Sequence, residues 1–301
     1  MASLSDPIRQ AVRQHIAQHQ LPPEFFATVE TFYLPLAEGL ASSTVDGKCY
    51  LLGVQGSQGS GKSTCADFLK LLLSEVFGKR VLVASIDDFY LTRAERQVLS
   101  DTVHPLFITR GVPGTHAVDM INQMFDQAAS DQAFHVPVFD KSIDDRAPES
   151  DWQQVQGPFD VVILEGWCVG IGPQTPEALQ QPINELERQE DSDGVWRTYV
   201  NEASAGDYAD LYARLDALVA LQAPSFDCVY GWRLLQEQKM IARLVLEGRD
   251  TSQAQTPAQI ERFISHYQRL TEHALATMPT QADWLLELNA QHGFKSLRGP
   301  Q

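Results

Sequence analysis

The 301-residue sequence is short of positive charge: Lys and Arg total 23 against 39 for Asp and Glu, a formal charge of −16 at pH 7. That deficit argues against general binding to nucleic acid or to anionic membranes, because both need a basic surface. It also requires any anionic substrate to be met by a few locally placed cations. Cysteine is scarce. Cys49, Cys65, Cys168 and Cys228 lie far apart with no CxxC, so buried thiols in a reducing compartment are expected, not a disulfide framework or a zinc site. No apolar run reaches the roughly 18 residues of a transmembrane helix. Arg9 and Arg13 are followed by no apolar core, which argues against a secretory signal. The first 20 residues are basic, as in transit peptides, but Asp6 and a modest serine content count against organellar targeting. The expected location is the cytoplasm. No internal repeat is visible. His104, His135, His266, His273 and His292 show no metal spacing, and no NKxD guanine-reading stretch occurs.

What is present reads as a folded α/β protein. Hydrophobic residues make up 44% and charged residues 21%, the balance of an ordinary globular chain. Ser5, Asp6 and Pro7 signal a helix start, with Ile8, Val12 and Ile16 at helical spacing and Leu21-Pro22-Pro23 as its end. A second helix is expected over 24–40. Residues 1–45 therefore form an expected N-terminal helical segment, and 46–301 the main domain. Within it, short apolar runs at 50–54, 80–86, 161–164, 218–221 and 284–288 read as buried strands separated by helices. That alternation predicts a doubly wound parallel sheet. The stretch 174–207 is rich in Gln, Glu and Asp and is expected to be an acidic, solvated surface insertion.

The first strand leads into Gly56-Ser57-Gln58-Gly59-Ser60-Gly61-Lys62-Ser63, which fits G-x-x-x-x-G-K-[ST] between a strand and a helix. This is a P-loop. Its glycines allow backbone N–H groups to turn inward around a β-phosphate, and the helix that follows adds its positive end. Lys62 is placed to reach the β- and γ-phosphates, Ser63 to ligate Mg²⁺, and Thr64 continues the nucleotide-binding stretch. ATP and Mg²⁺ are the implied cofactors.

Two later strands deliver acids to the same end of the sheet, where such folds bind ligands. Asp87 and Asp88 follow the second strand and Glu165 ends the third. Transfer of a phosphoryl group to an alcohol needs one carboxylate by the hydroxyl and another by the metal. Adjacent strand residues face opposite ways, so only one of Asp87 and Asp88 is expected to face the hydroxyl. An Asp pair here also suits a helix cap.

The runs SIDDFYLT (85–92), RGVPGTH (110–116), FDKS (139–142), DRAPES (145–150) and LEGW (164–167), with YGWR at 230–233, resemble the D-glycerate 3-kinase family over about residues 46 to 290. That family belongs to the branch of uridine kinase, pantothenate kinase and phosphoribulokinase. The resemblance implies a Mg·ATP-dependent kinase of a small anionic hydroxy acid, with Asp87 as base and Asp88 in support or on the metal. It implies that Glu165 stands for the Walker-B acid as a metal or water ligand. Asp87, Tyr90, Arg110, His116 and Lys141 would form the substrate site, and Arg146 would meet the nucleotide from a lid. Arg233 would reach a phosphate or form an ordinary ion pair. The family usually reads PGTHD, whereas Ala117 follows His116 here and the next acid is Asp119. Other readings of the P-loop are a kinase of a nucleoside, pantothenate or a sugar phosphate, or a nucleotide-binding switch or scaffold with little catalysis.

Overall fold

The computed structural model describes residues 4–246 and 256–300. Residues 1–3, 247–255 and 301, which the expected N-terminal segment and main domain include, lie outside the described residues.

The five apolar runs are five parallel strands: β1 (Tyr50–Gly56), β2 (Val81–Ser85), β3 (Val161–Gly166), β4 (Ala217–Gln222) and β5 (Trp284–Leu288). A sixth strand that the apolar pattern did not mark, β6 (Phe294–Arg298), lies antiparallel on the β5 edge. The spatial order is β6-β5-β4-β1-β3-β2. The chain moves outward from β1 to β2, returns to β3 beside β1, and then crosses to β4. The strand order therefore reverses about β1, and the crevice at its carboxyl end is the natural ligand position.

Both faces of the sheet are covered, which is why the strands are apolar at successive positions. Val162 and Leu164 join Leu51, Leu82 and Ala84 in one core, while Val161 and Ile163 join Leu52 and Val54 in the other. The first core is closed by helices Val118–Ala128, Val195–Ala205 and Asp207–Tyr212 and by the 25-residue helix Pro257–Gln281. The second is closed by the P-loop helix Lys62–Glu75 and by the N-terminal helices. The N-terminal helices are Asp6–Gln18 and a run from Phe25 to Ser43 that widens into a π-helical turn at Val29–Tyr33. The N-terminal helices thus sit directly on the sheet that carries the P-loop.

The stretch 174–207 is not the solvated insertion its composition suggests. Helices Glu185–Glu190 and Val195–Ala205 bury Leu186, Trp196 and Val200. Three of its charges are buried and paired: Arg269 grips Glu187 with two bonds of 2.8 and 2.6 Å, and Arg197 meets Asp191 at 2.9 Å. Composition misleads here because the partner of Glu187 lies 82 residues further on.

A small antiparallel turn, Phe139–Asp140 with Asp145–Arg146, stands beside the carboxyl end of β2. Among the described residues, no helix is long and apolar enough to cross a membrane.

Candidate active site

The P-loop closes on itself as its glycines require. Gly59 and Gly61 have φ of 79° and 89°, a region that side chains rarely enter. A Cβ on Gly59 would stand 2.9 Å from Cβ of Trp232, so the loop rests against the backbone and Cβ of that residue, whose indole Nε1 donates to the Ala290 carbonyl. The hydroxyls of Ser57 and Ser60 are buried without partners. Buried polar groups in this condition are costly unless something meets them, and phosphate oxygens would.

Lys62 and Ser63 open the following helix and converge on Glu165 at the end of β3. Ser63 donates to Oε1 of Glu165 at 2.8 Å, and the Lys62 Nζ is 3.9 Å from Oε2. Glu165 is buried and its Oε2 accepts no hydrogen bond. A hydroxyl beside carboxylate oxygens is the oxygen donor set that Mg²⁺ favours, so these two residues fit that ion. Gln58, Gly59, Lys62, Ser63 and Glu165 line a cleft of about 780 Å³. Gly56, Ser57, Ser60 and Gly61 complete the loop and Thr64 lies in the first turn of helix Lys62–Glu75; none of the five lines the cleft.

Asp87 lies on a 3₁₀ turn, Ile86–Phe89, that continues β2, and its carboxylate faces the cleft. Tyr90 Oη donates to Oδ1 at 2.7 Å and Lys141 Nζ to Oδ2 at 2.8 Å. Burial pushes this carboxyl up, but the charges of Lys141 and Lys62 and the bonds from Lys141 and Tyr90 outweigh it, and the pKa falls to about 2. Asp88 turns away from the cleft. It accepts from the Phe139 N–H at 3.2 Å and so ties the 139–146 turn to the end of β2. Burial, reinforced by the charge of Asp87, raises its pKa against the pull of that hydrogen bond.

Opposite the P-loop, the cleft wall is formed by Tyr90, Arg110 and Lys141. Arg110 lies against the rings of Tyr90 and Phe139, 5.9 and 5.3 Å from their centroids, and its Nη1 pairs with Asp144. The loop that carries it is fixed from three sides. Tyr267 Oη donates to the Arg110 carbonyl at 3.0 Å, Trp167 Nε1 to the Gly111 carbonyl at 2.8 Å, and the Gly114 N–H donates to Tyr208 Oη at 3.1 Å. Gly111 has φ of 130°, and a Cβ there would come within 2.4 Å of the Tyr267 hydroxyl.

Two expected ligand contacts are placed differently. His116 is buried behind Tyr90, stacked on its ring at 4.7 Å, with Nδ1 2.5 Å from Tyr208 Oη. Burial outweighs the attraction of Asp87 and lowers its pKa to about 4, so it is a neutral ring that backs the cleft wall. Arg146 donates Nη2 to the Tyr90 carbonyl at 2.8 Å and stands behind the wall as well. Asp119, the acid nearest the Ala117 departure, is exposed in the first turn of helix Val118–Ala128 and does not face the cleft. Arg233 does line the cleft and pairs with Glu237 at 2.8 Å. Tyr208 and Tyr267 lie outside every motif, and Asp144 lies at an unspecified position between FDKS and DRAPES, so no local pattern marks them. LEGW alone pointed toward Trp167.

A phosphate cradle at the switch point, facing a strand-end carboxylate across one cleft, defines a P-loop phosphotransferase. No family model matches the chain. It is 33% identical over 231 residues to the uncharacterized kinase mug58 of Schizosaccharomyces pombe, covering 74% of this chain and 79% of that protein. It is 31% identical over 249 residues to the probable ATP-dependent kinase TDA10 of Saccharomyces cerevisiae, covering 73% and 77%. The structure of D-glycerate 3-kinase from Cryptococcus neoformans superposes with a TM-score of 0.70 at 26% identity, covering 88% of this chain and 96% of that one. The chain belongs to this D-glycerate 3-kinase group of P-loop kinases and is an ATP-dependent kinase.

Proposed function

We propose that this kinase transfers the γ-phosphoryl group of ATP to the terminal hydroxyl of D-glycerate, giving 3-phosphoglycerate. The observation that carries the reading is the position of Asp87. Its carboxylate lies in one cleft with Lys62 of the phosphate cradle on one side and Arg110 and Lys141 on the other. An acceptor seated there has its anionic end toward Arg110, whose guanidinium suits a carboxylate. Its hydroxyl is then within reach of Asp87, which accepts or steers the proton as the oxygen attacks phosphorus. Lys141 is half in solvent, paired with Asp87, and can transfer its charge to the phosphoryl group in transit. Ser63 and Glu165 would hold Mg²⁺, which would supply charge neutralisation for the nucleotide phosphates. The name of the Cryptococcus relative supports the choice of acceptor. Four free thiols and no disulfide among the described residues support a reducing setting, and we place the enzyme in the cytoplasm.

The test is ADP release with Mg·ATP and D-glycerate, uridine, pantothenate or ribulose 5-phosphate, with the product identified. Glycerate-dependent turnover yielding 3-phosphoglycerate is expected. Turnover driven by another of the four alcohols would replace glycerate as the acceptor.

A further inference from the structure

Asp144 holds an unspecified position between FDKS and DRAPES, yet it touches the residue assigned to the acceptor. Its carboxylate is pinned. Arg96, fully buried, holds Oδ2 at 3.1 Å and the Asp144 carbonyl at 2.6 Å, and donates to the Ile108 carbonyl at 2.6 Å. The other oxygen of Asp144 meets Nη1 of Arg110. Arg110 is held on its flat side by the rings of Tyr90 and Phe139, so neither partner can swing away cheaply.

This arrangement counts charge. Arg110 is opposed by Asp144 from behind the cleft wall and Lys141 by Asp87. The third cation, Arg96, is buried and spends its donors on Asp144 and on the carbonyls of Leu91 and Ile108. The two cations that face the acceptor, Arg110 and Lys141, are therefore each already paired. Only the donors of Arg110 not given to Asp144 face an incoming anion. A monoanion satisfies them. A dianion would bring a second negative charge close to Asp87, and toward Asp144 behind Arg110, with Arg110 and Lys141 already paired.

We propose that Asp144 is a specificity-determining residue that restricts the acceptor to a single negative charge, admitting a carboxylate and rejecting a phosphate ester. This rests on Arg110 binding the anionic end of the acceptor, as in the reading above. It adds that a neighbouring acid, and not pocket size, bars phosphorylated alcohols.

The substitution Asp144→Asn removes the charge and keeps the shape. Asp144 has φ of 56°, a conformation that Asn tolerates, and the amide oxygen can still face Arg96. Glycerol, D-glycerate and glycerol 3-phosphate form a series of zero, one and two negative charges with a free primary hydroxyl. Their affinities are measured by calorimetry, and their turnover separately, for the natural protein, Asp144→Asn and Asp144→Glu. The natural protein should bind glycerate in preference to glycerol 3-phosphate. Asp144→Asn should shift that ratio toward the dianion by about tenfold or more, and Asp144→Glu should restore it. If Asp144→Asn weakens both anions equally, or leaves the ratio unchanged, Asp144 does not set acceptor charge and the proposal is overturned. Calorimetry separates this from the acceptor reading: absence of glycerate turnover sinks that reading, while the binding ratio still decides the role of Asp144.

Discussion

At the scale of single residues, the two adjacent acids after β2 have been given opposite work. Asp87 is held ionised by Lys141, Lys62 and Tyr90 in the cleft, whereas Asp88 is turned inward onto the Phe139 N–H. Asp87→Asn should lower kcat by roughly a hundred- to ten-thousandfold, with the KM for ATP little changed. Asp88→Asn should retain most of the turnover, because an amide oxygen can accept the same hydrogen bond. Steady-state kinetics of the pair decides between them, and loss of turnover in Asp88→Asn alone would reverse the assignment. His116 makes a second claim. Its folded pKa of about 4 lies below the unfolded value of about 6.5, so the unfolded chain binds the extra proton between those values. Its contribution to stability is complete above pH 6.5 and is lost as pH falls toward 4, amounting to about 2 kcal/mol at pH 5. Denaturant unfolding at pH 7 and pH 5 should show that loss, and His116→Gln should reduce it. The phosphate-binding residues were legible in the sequence because the turn of a P-loop is local: the positive φ of Gly59 and Gly61 is demanded within eight residues, although the approach of Trp232 to Gly59 is not. His116 was legible as a special residue but not as a buried one, since Tyr208, which meets it, lies 92 positions away.

At the scale of elements, helix Pro257–Gln281 joins three things that the sequence keeps apart. Tyr267 holds the Arg110 carbonyl, Leu270 and Ala274 pack on the sheet, and Arg269 grips Glu187. Arg269 also donates to the carbonyls of Ala178 and Gln181, 2.7 Å each. Arg269→Met should destabilise the fold by about 3–5 kcal/mol, because it strands a buried carboxylate. Adding Glu187→Leu should recover much of that loss, and equilibrium unfolding of the two variants measures it. If the single and double variants are equally unstable, the carbonyl contacts and not the ion pair carry the attachment. The five parallel strands could be read in advance because burial on both faces makes them continuous apolar runs. The sixth could not: Phe294–Arg298 is a polar edge strand with side chains only half covered. The acidic stretch 174–207 failed for the complementary reason, since its few large apolar side chains are diluted by charges whose partners lie elsewhere in the chain.

At the scale of the whole molecule, the net charge of −16 opposes the approach of a nucleotide carrying several negative charges. Association of metal-free ATP should therefore accelerate as salt is raised from about 10 mM to about 150 mM, by roughly several-fold, as the Debye length shrinks toward 8 Å. Stopped-flow fluorescence with a labelled nucleotide measures this, and a rate that falls with salt would mean that the cleft steers anions despite the overall field. The pairing of charges inside the cleft bears on a different competition. Lys62 faces Glu165, Lys141 faces Asp87, Arg110 faces Asp144 and Arg233 faces Glu237. Phosphate, sulfate or chloride that settles on Lys141, Arg110 or Arg233 must displace a carboxylate already in place, whereas the P-loop with its unpartnered Ser57 and Ser60 hydroxyls stands open to an anion. The wall opposite the cradle thereby favours a ligand that can replace several of these partners at once over a small ion that can replace only one.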